Sequence, residues 1–248
     1  FAFSTNDEVN NMTFNNYVLI NQGTQTLANT YFGVWVDADV GTATDDYVGC
    51  DVQRGLGYSY NGDAVDEPSS SSQGYGENPP AVGIDFFEGP YQDADSIDNP
   101  LTSNFSNAID SLGIPYEGIG IGYGDGIVDN ERFGMRRFVY YNNSGNQING
   151  EPSTPLHFYN YMNGIWKNGQ KMAYGGDGVS AATGANLDIE ADYMFPGDTD
   201  PFNWGTGGTT VEPWTEVTSG NPPADRRFIQ AAGPFTLEPG DYNNITMG

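Results

Sequence analysis

Residues 30–66 read TYFGVWVDADVGTATDDYVGCDVQRGLGYSYNGDAVD, an aromatic and β-branched run that opens into acidic loops. The first part, residues 31–36, is typical of a β-strand, because such side chains fit a pleated, half-buried surface. The carboxylates that follow are Asp37, Asp39, Asp45, Asp46, Asp51, Asp63 and Asp66. Two like charges about 4 Å apart repel by roughly 4 kcal/mol at an effective dielectric constant near 20. A folded loop must therefore separate these groups, protonate one of them or bind a cation.

The composition bounds the class of protein. The chain has 248 residues, 37% of them hydrophobic and 14% aromatic, which is enough for one large β domain or two modest ones. Its 33 acidic residues stand against six Arg and two Lys, which gives a formal net charge of -25. Such a charge repels nucleic acids and anionic membrane surfaces, so neither is an expected partner. Acidity of this kind also favours solubility, and that explanation stands beside the binding of divalent ions.

Short runs of β-forming residues recur between clusters of Gly, Asn, Asp and Pro, a pattern that predicts a mainly β fold. We expect strands at residues 14–21, 31–36, 81–87, 135–141, 209–217, 226–231, 235–237 and 242–248. The 34 Gly and 15 Pro predict long loops between them. The expected architecture is a β-sandwich or jelly roll with long Gly/Asn/Asp-rich loops and one or two short helices. We expect residues 1–248 to form a single domain, with a sub-boundary near 142–151 as the alternative.

Two segments have helical periodicity. Residues 154–169 place apolar side chains on one helical face, with Thr154 as the N-cap, Pro155 at the first helical position and Gly169 as the stop. A weaker pattern predicts a second helix over residues 102–112. Both apolar faces are expected to pack into the core. No stretch of 18 apolar residues predicts a membrane-spanning helix, so direct membrane insertion is not expected.

The acidic segment provides the first candidate calcium site. Ca²⁺ takes six to eight oxygen ligands, and the Asp-x-Asp spacing of Asp37 and Asp39 lets alternate residues of a tight loop face one ion. The carboxylates expected to add further ligands are Asp45, Asp46 and Asp51. Because Gly41 stands at the fifth position of the loop and no Glu closes a twelve-residue loop, the segment is not an EF-hand. The alternative is a solvated acidic loop in which Asp side chains cap turns.

A second candidate lies in the glycine-rich residues 118–131. Its proposed ligands are Asp125, Asp129 and Glu131. The loop is degenerate as a calcium loop, because the first and third positions of the EF-type pattern are not acidic. The competing interpretation is that Asp129 and Glu131 pair with Arg132, Arg136 and Arg137.

A third cluster combines Asp198, Asp200 and Trp204. Sugar-binding sites have this composition, because aromatic rings stack on sugar CH faces while carboxylates bind hydroxyls, but ordinary ordered loops have it too. The lone His157 excludes His-Glu-x-x-His zinc sites and His-based triads on this chain. The lone Cys50 excludes an intramolecular disulfide and is expected to be a small buried hydrophobe.

Six stretches form distinctive sequence motifs: YFGVWVDADVG (31–41), DDYVGCD (45–51), GYGENPPA (74–81), FVYYNN (138–143), WGTGG (204–208) and ADRRF (224–228). Together they resemble a region shared by large secreted surface proteins of Bacteroidota, which leave the cell through the type IX pathway by means of a C-terminal sorting domain. The resemblance covers nearly the whole chain. It implies an extracellular or cell-surface location and a long parent polypeptide, of which this chain, starting without Met, is expected to be a mature form or a piece that lacks the sorting domain.

The resemblance has two consequences for sites. Relatives often carry an Asp-Asn-Asp type loop before the Asp-Gly pair, whereas Gly122-Tyr123-Gly124 precedes Asp125 here, which weakens the case for calcium at that position. Ser96 and Ser111 lie in Asp-Ser-aliphatic triplets that look like O-glycosylation acceptors in that phylum, although so short a triplet also occurs by chance.

The resemblance brings no defined activity with it, because the family is largely uncharacterised. The preferred hypothesis is a non-enzymatic, adhesin-like or structural surface module whose acidic loops are organised by calcium. Glycans or other surface proteins are its expected partners. A carbohydrate-binding module that uses loop aromatics is the alternative. Third comes a glycan-active enzyme, which needs two carboxylates facing each other at about 5–9.5 Å.

Overall fold

The structure, a computed structural model, describes residues 4–116 and 120–248. Within them the chain is mainly β, as predicted, with several antiparallel sheets, two short α-helices and long loops, consistent with a β-sandwich-like fold. Two compact units are each assembled from discontinuous parts of the chain. Unit 1 comprises Phe1–Phe32, Ile84–Met135 and Ala232–Gly248, and unit 2 comprises Gly33–Gly83 and Arg136–Ala231. Residues 142–151 lie inside unit 2 rather than between the units.

The strands are β1 (Asn15–Ile20), β2 (Leu27–Val36), β3 (Asp46–Asp51), β4 (Leu56–Asn61), β5 (Val65–Asp66), β6 (Gly76–Glu77), β7 (Ala81–Glu88), β8 (Arg137–Asn142), β9 (Ala173–Tyr174), β10 (Asn186–Glu190), β11 (Arg226–Leu237) and β12 (Tyr242–Met247). The α-helices are α1 (Pro155–Met162) and α2 (Glu216–Ser219). Short 3-10 turns occur at Glu8–Asn11, Phe105–Asn107, Ala181–Thr183 and Trp204–Thr206. Of the helices in the described ranges, none has the length and apolar character needed to cross a membrane.

Unit 1 contains an antiparallel sheet in which β12 lies between β1 and β7. The pairing of β12 with β1 runs from Met247 opposite Asn15 to Tyr242 opposite Ile20. Every second residue of β12 is buried, which is the pattern of a strand with one face on a core. The strands predicted at residues 14–21, 81–87 and 242–248 are therefore confirmed.

Unit 2 is built around two antiparallel pairs. The β3–β4 hairpin places Asp46 opposite Asn61, and β8 pairs with the first half of β11 from Asn142 opposite Arg226. Between them the unit buries many large aromatic and sulfur-containing side chains, including Phe138, Tyr140, Tyr161, Trp166, Met172, Met194, Phe195, Trp204, Trp214 and Phe228. Cys50 is fully buried and its thiol donates to the Met194 carbonyl, as expected of a small core residue.

The acidic segment after β2 is more regular than the sequence predicts. Residues 46–66 were expected to be loops, but they contain β3, β4 and β5. The prediction is wrong because β3 is buried along its whole length and carries Asp and Gly, so it shows no alternation of polar and apolar residues. Residues 226–231 and 235–237 were expected to be two strands and are the single strand β11.

The first predicted helix begins where expected and ends early. Thr154 caps α1 by accepting a hydrogen bond from the His157 N–H at 3.2 Å, and Pro155 is its first residue. The helix stops at Met162 rather than near Gly169, because Gly164 adopts a left-handed φ of 68° just beyond the Asn163 cap. The remaining residues turn back on themselves through a bridge between Ile165 and Lys171.

Two further predicted elements are wrong. Residues 102–112 form the 3-10 turn Phe105–Asn107 and an isolated bridge from Ile109 to Pro115 instead of a helix, and Ile109 and Leu112 of the expected apolar face are exposed. Residues 209–217 form a loop followed by α2 rather than a strand. The capping box between Thr215 and Thr218 starts that helix and competes with the β-branched character of the segment.

A buried ion pair joins α2 to β3 and β11. Glu216, the first residue of α2, is 0% exposed. Its carboxylate lies 2.9 Å from Nη2 of Arg226 and accepts the backbone N–H of Val48 at 2.9 Å. Desolvation raises the pKa of Glu216, and the charge of Arg226 opposes that rise. Because both charges are withdrawn from water, each depends on the other.

Replacing Glu216 with Ala is expected to lower the free energy of unfolding by about 3–5 kcal/mol, because the charge of Arg226 would stay buried without its partner. Urea denaturation followed by circular dichroism measures the change. The matched control is Glu212→Ala, at an exposed position of the preceding loop, with an expected change below about 0.5 kcal/mol. Equal effects of the two substitutions would contradict the role assigned to Glu216.

Candidate metal centre

The ends of β2 and β11 bring distant carboxylates together. Gly33 lies beside the backbone of Gln230, and Gly233 beside that of Thr30, so the two strands run antiparallel. One carboxylate, Asp37, directly follows β2, and another, Asp225, directly precedes β11. These two side chains therefore reach the same edge of the sheet, although they lie far apart in the sequence.

Asp37, Asp39 and Asp225 each place one carboxylate oxygen within 4.8 Å of the other two. Asp37 and Asp39 are exposed, and Asp225 is half-buried. The pKa of Asp39 is raised, first by burial and then by the charges of Asp37 and Asp225, while Arg227 opposes the rise. The structure thus brings together two of the predicted ligands, Asp37 and Asp39, and adds Asp225, which no spacing of acidic residues in the sequence indicates.

Among the residues that the structure describes, Arg227 is the basic group that faces this cluster. Its Nε lies 2.9 Å from Asp37 Oδ1 and 3.8 Å from Asp225 Oδ1, and its Nη1 lies 2.8 Å from Glu151 Oε2. Hydrogen bonds to Glu151 and Asp37 raise the pKa of Arg227 against the effect of burial, so it stays charged. One guanidinium facing four carboxylates leaves the cluster strongly negative.

The spacing of the three aspartates fits a calcium ion. Two oxygens on opposite sides of Ca²⁺, each at about 2.3–2.6 Å, lie about 4.6–5.2 Å apart. Oxygens that all lie within 4.8 Å of one another can therefore share one ion. Three carboxylates supply part of the six to eight ligands, and backbone carbonyls and water commonly supply the rest.

Asp46 and Asp66 have a different role from that cluster, because they hold the loop between β2 and β3. Asp46 Oδ2 accepts the Val40 N–H at 3.0 Å, and Asp66 accepts the N–H groups of Thr42 at 3.0 Å and Tyr75 at 2.6 Å. Both carboxylates are almost completely buried. These two carboxylates therefore accept backbone N–H groups of the loop, as the alternative interpretation expected, but they are buried and not solvated.

Asp51 cannot join a site formed by the other acids of this segment. It lies at the far end of β3 from Asp46, and five steps of about 3.3 Å along a strand place the two residues about 16 Å apart. Its carboxylate instead accepts the Arg54 backbone N–H and forms an ion pair with the Arg54 guanidinium. The expectation that Asp51 shares an ion with Asp46 is wrong.

The second predicted calcium loop is held by hydrogen bonds to backbone N–H groups. Asp125 accepts from Ile127 and from the side chain of Asn130, Asp129 accepts from the N–H groups of Asp95 and Ser96, and Glu131 accepts from that of Asn99. These acids do not belong to the close carboxylate group found among the described residues. Gly118 and Ile119, which open the predicted loop, lie outside the described residues.

The competing prediction for that loop was that Asp129 and Glu131 pair with arginines. Arg132 and Arg137 make other contacts instead. Arg132 donates to the carbonyls of Gly89 and Asn244 and stacks on the ring of Tyr91, with its guanidinium carbon 3.8 Å from the ring centroid. Arg137 forms an ion pair with Asp192 at 3.1 Å. Backbone N–H groups of residues 95–99, brought close by the fold, supply the hydrogen bonds to Asp129 and Glu131 that the arginines were expected to give.

The third predicted cluster surrounds a cavity of about 230 Å³, whose lining includes Asp198, Asp200, Tyr174 and Glu212. Both oxygens of Asp200 accept backbone N–H groups, from Trp204 at 2.9 Å and from Gly205 at 2.8 Å. Trp204 is only 2% exposed, so its ring is not available to stack on a sugar. Asp198, Tyr174 and Glu212 are among the residues that line this cavity, and they offer it two carboxylates and a phenol ring.

The two predicted glycosylation serines lie on the surface. Ser96 and Ser111 are both exposed, and Ser96 has a left-handed φ of 66°. The carboxylate of Asp95 accepts the Ser111 N–H at 3.0 Å, which connects the two triplets. Their exposure makes both serines accessible to a modifying enzyme, and modification stays a prediction.

Comparison with protein-family models, with curated proteins and with solved structures finds no match to this chain. Function must therefore be argued from the geometry of the sites.

The pKa of Asp46 is raised to about 7, above all by burial, and further by the charges of Asp45, Asp39 and Asp66. The folded state therefore holds this proton more tightly than the unfolded state. In chelator, stability should fall as the pH rises from about 4 to about 7, by at most about 4 kcal/mol, because one pKa unit corresponds to about 1.4 kcal/mol.

Asp46→Asn should remove this part of the pH dependence, because the amide cannot ionise and its oxygen can still accept the Val40 N–H. Urea denaturation at pH 5 and at pH 8 measures the difference in the free energy of unfolding between the two pH values. The exposed Glu77→Gln serves as the control and should keep the wild-type difference. If the Asp46→Asn variant also keeps the wild-type difference, a group other than Asp46 is responsible for the pH dependence of stability.

Proposed function

We propose that this chain is a non-enzymatic structural module of an extracellular or cell-surface protein, with acidic loops organised by calcium. The observation that carries the proposal is the convergence of Asp37, Asp39 and Asp225 within 4.8 Å. Aspartates at this spacing repel each other, and Arg227 offsets only part of their charge. A divalent cation supplies the missing charge and ties the end of β2 to the start of β11.

Calcium in such a position would act as a cross-link. Asp37 and Asp39 belong to the segment after β2, whereas Asp225 directly precedes β11, so one ion would fix the relative position of two segments distant in sequence. The binding free energy would add to the stability of the folded state, because the unfolded chain does not assemble the site.

The extracellular or cell-surface location is proposed from the sequence motifs rather than from the geometry of the site. The stretches at 31–41 and 224–228, which resemble type IX-exported surface proteins of Bacteroidota, are also the stretches that contain Asp37, Asp39 and Asp225. Calcium outside the cell is plentiful enough for sites of modest affinity, as in other extracellular modules. An adhesin-like role toward glycans or other surface proteins fits such a module.

Excess calcium should raise the melting temperature relative to chelator. At one hundred times the dissociation constant, a ligand of the folded state adds about 2.7 kcal/mol, which for a chain of this size corresponds to about 5–10 °C. Differential scanning calorimetry in CaCl₂ and in EGTA measures the shift. The double variant Asp39→Asn with Asp225→Asn should show a clearly smaller shift.

The control for that experiment is Asp188→Asn, an exposed Asp of β10 outside the cluster, which should keep the full shift. A wild-type protein that melts at the same temperature in calcium and in EGTA would overturn the proposal. So would a double variant that shifts as much as the control.

A second candidate function is the binding of a small sugar in the 230 Å³ cavity, where Tyr174, Asp198 and Glu212 offer a ring and two carboxylates. Sugar sites combine a hydrophobic ring face with a few oriented polar groups. The burial of Trp204 and Trp214 removes the larger rings from this role, so the candidate rests on Tyr174, which is half-buried.

Saturation-transfer NMR with a panel of monosaccharides tests this second candidate. Glu212→Gln should weaken any binding about tenfold, because a charge-assisted hydrogen bond becomes a neutral one, a difference of about 1.4 kcal/mol. Glu190→Gln, exposed on β10, should leave binding unchanged. Absence of transfer to every sugar in the panel would exclude the candidate for monosaccharides.

A further inference from the structure

The open end of the β3–β4 hairpin buries three side-chain oxygens that receive no hydrogen bond from any described residue: Oδ1 of Asp45, of Asp46 and of Asn61. Asp46 is 1% exposed and Asn61 is 5% exposed, so water does not replace the missing donors freely. A buried acceptor left unsatisfied costs about 1–3 kcal/mol, and more when it is charged. Asp45 directly precedes Asp46 and its charge acts on the Asp46 carboxylate, so one shared partner could satisfy these neighbouring oxygens.

The register of the hairpin places two of these oxygens side by side. Asp46 lies opposite Asn61. The Gly62 N–H donates to the Asp45 carbonyl at 2.6 Å, and the Val48 N–H turns away from β4 to Glu216. Asp46 and Asn61 are therefore a non-hydrogen-bonded pair, the type with Cα atoms about 4.5 Å apart and side chains close together on one face.

Other contacts fix the orientation of both side chains. Asp46 uses Oδ2 to accept the Val40 N–H at 3.0 Å, which leaves Oδ1 as its second acceptor. Asn61 donates through Nδ2 to the carbonyls of Asp63 at 3.2 Å and Val65 at 3.1 Å, so the amide cannot turn its nitrogen toward Asp46 without losing both bonds. An amide oxygen, not an amide donor, therefore accompanies the carboxylate.

The charges that act on this position from the described residues are negative. The negative charges of Asp66, Glu67 and Asp63 act on the Asp45 carboxylate. Those of Asp45, Asp39 and Asp66 act on the Asp46 carboxylate. This differs from the Asp37–Asp39–Asp225 cluster, where Arg227 provides a positive charge. The hairpin end is therefore less neutralised than the Asp37–Asp39–Asp225 cluster. It also has oxygens that accept no hydrogen bond from the described residues.

We propose that Asp45, Asp46 and Asn61 bind a second divalent cation of the calcium type, separate from the ion of the Asp37–Asp39–Asp225 cluster. Carboxylate and amide oxygens are the ligands that such hard cations prefer, with carbonyls or water completing the shell. The ion would lock the hairpin end to the loop that Asp46 and Asp66 hold at Val40 and Thr42. This inference deepens the proposed function and rests on it for the choice of ion.

Isothermal titration with CaCl₂, after removal of bound ions by chelator, tests the proposal through the number of ions bound. The wild-type protein is expected to bind two. Asp46→Asn should bind one, with affinity at the hairpin site reduced by more than about 100-fold, because a direct ligand matters more than an outer-shell group worth 10- to 100-fold. Asp39→Asn with Asp225→Asn should also bind one, since the other site remains.

Two controls keep the result interpretable. Asp63→Asn removes a nearby exposed charge that is not a proposed ligand, and it should still bind two ions. Asp45→Asn, at a half-buried position, provides a milder loss of a ligand should Asp46→Asn fail to fold, which far-UV circular dichroism in EGTA detects.

The outcomes separate the two proposals. If Asp46→Asn and Asp45→Asn bind as many ions as wild type with unchanged affinity, the hairpin site is overturned and a proton shared between Asp46 and Asn61 accounts for the buried oxygens. If one ion remains in Asp39→Asn with Asp225→Asn and is lost on adding Asp46→Asn, the hairpin site is supported. Loss of all binding in Asp39→Asn with Asp225→Asn would overturn the hairpin site and leave the first site standing, and no binding by wild type would overturn both.

Discussion

Buried carboxylates need hydrogen-bond donors, and in a chain with 33 acidic and 8 basic residues most of those donors must come from the backbone. Three aspartates each receive two backbone N–H groups from the loops: the buried Asp66 from Thr42 and Tyr75, and the half-buried Asp98 from Gly124 and Gly126 and Asp200 from Trp204 and Gly205. Hydrogen bonds to a charged group contribute about 1.5–3 kcal/mol each. This explains how long loops are ordered here with little regular secondary structure.

The scarce basic residues are placed where backbone donors do not suffice. Arg226 meets the fully buried Glu216, and Arg227 is shared among Asp37, Glu151 and Asp225. Both arginines lie at the start of β11, so the same strand neutralises acids from α2, from the segment after β2 and from the loop before α1. Among the described residues, Oδ1 of Asp46 at the end of the β3–β4 hairpin receives no hydrogen bond and Asp46 has no ion pair with an arginine, which supports the second cation proposed there.

Local signals in the sequence predicted elements whose stability is decided locally. The Thr154-Pro155 start of α1 is an example, because a cap and a fixed φ act within one turn. Where two local signals compete, the prediction was wrong: Gly164 ends α1 before Gly169 does, and the capping box at Thr215 turns an expected strand into α2. The buried strand β3 was missed, because tertiary contacts on both faces, not alternation, make it a strand.

The sequence by itself determined the mainly β class, the excess of negative charge and the candidate ligands Asp37, Asp39, Asp45 and Asp46, because these follow from composition and spacing within short segments. Only the tertiary structure decided which acids meet. Antiparallel pairing brought Asp225 to Asp37 and Asn61 to Asp46, and the length of β3 kept Asp51 away. The physical reason is that a carboxylate's partner is set by distance in space, and strand register, which connects residues far apart in the chain, cannot be read from the spacing of charges along it.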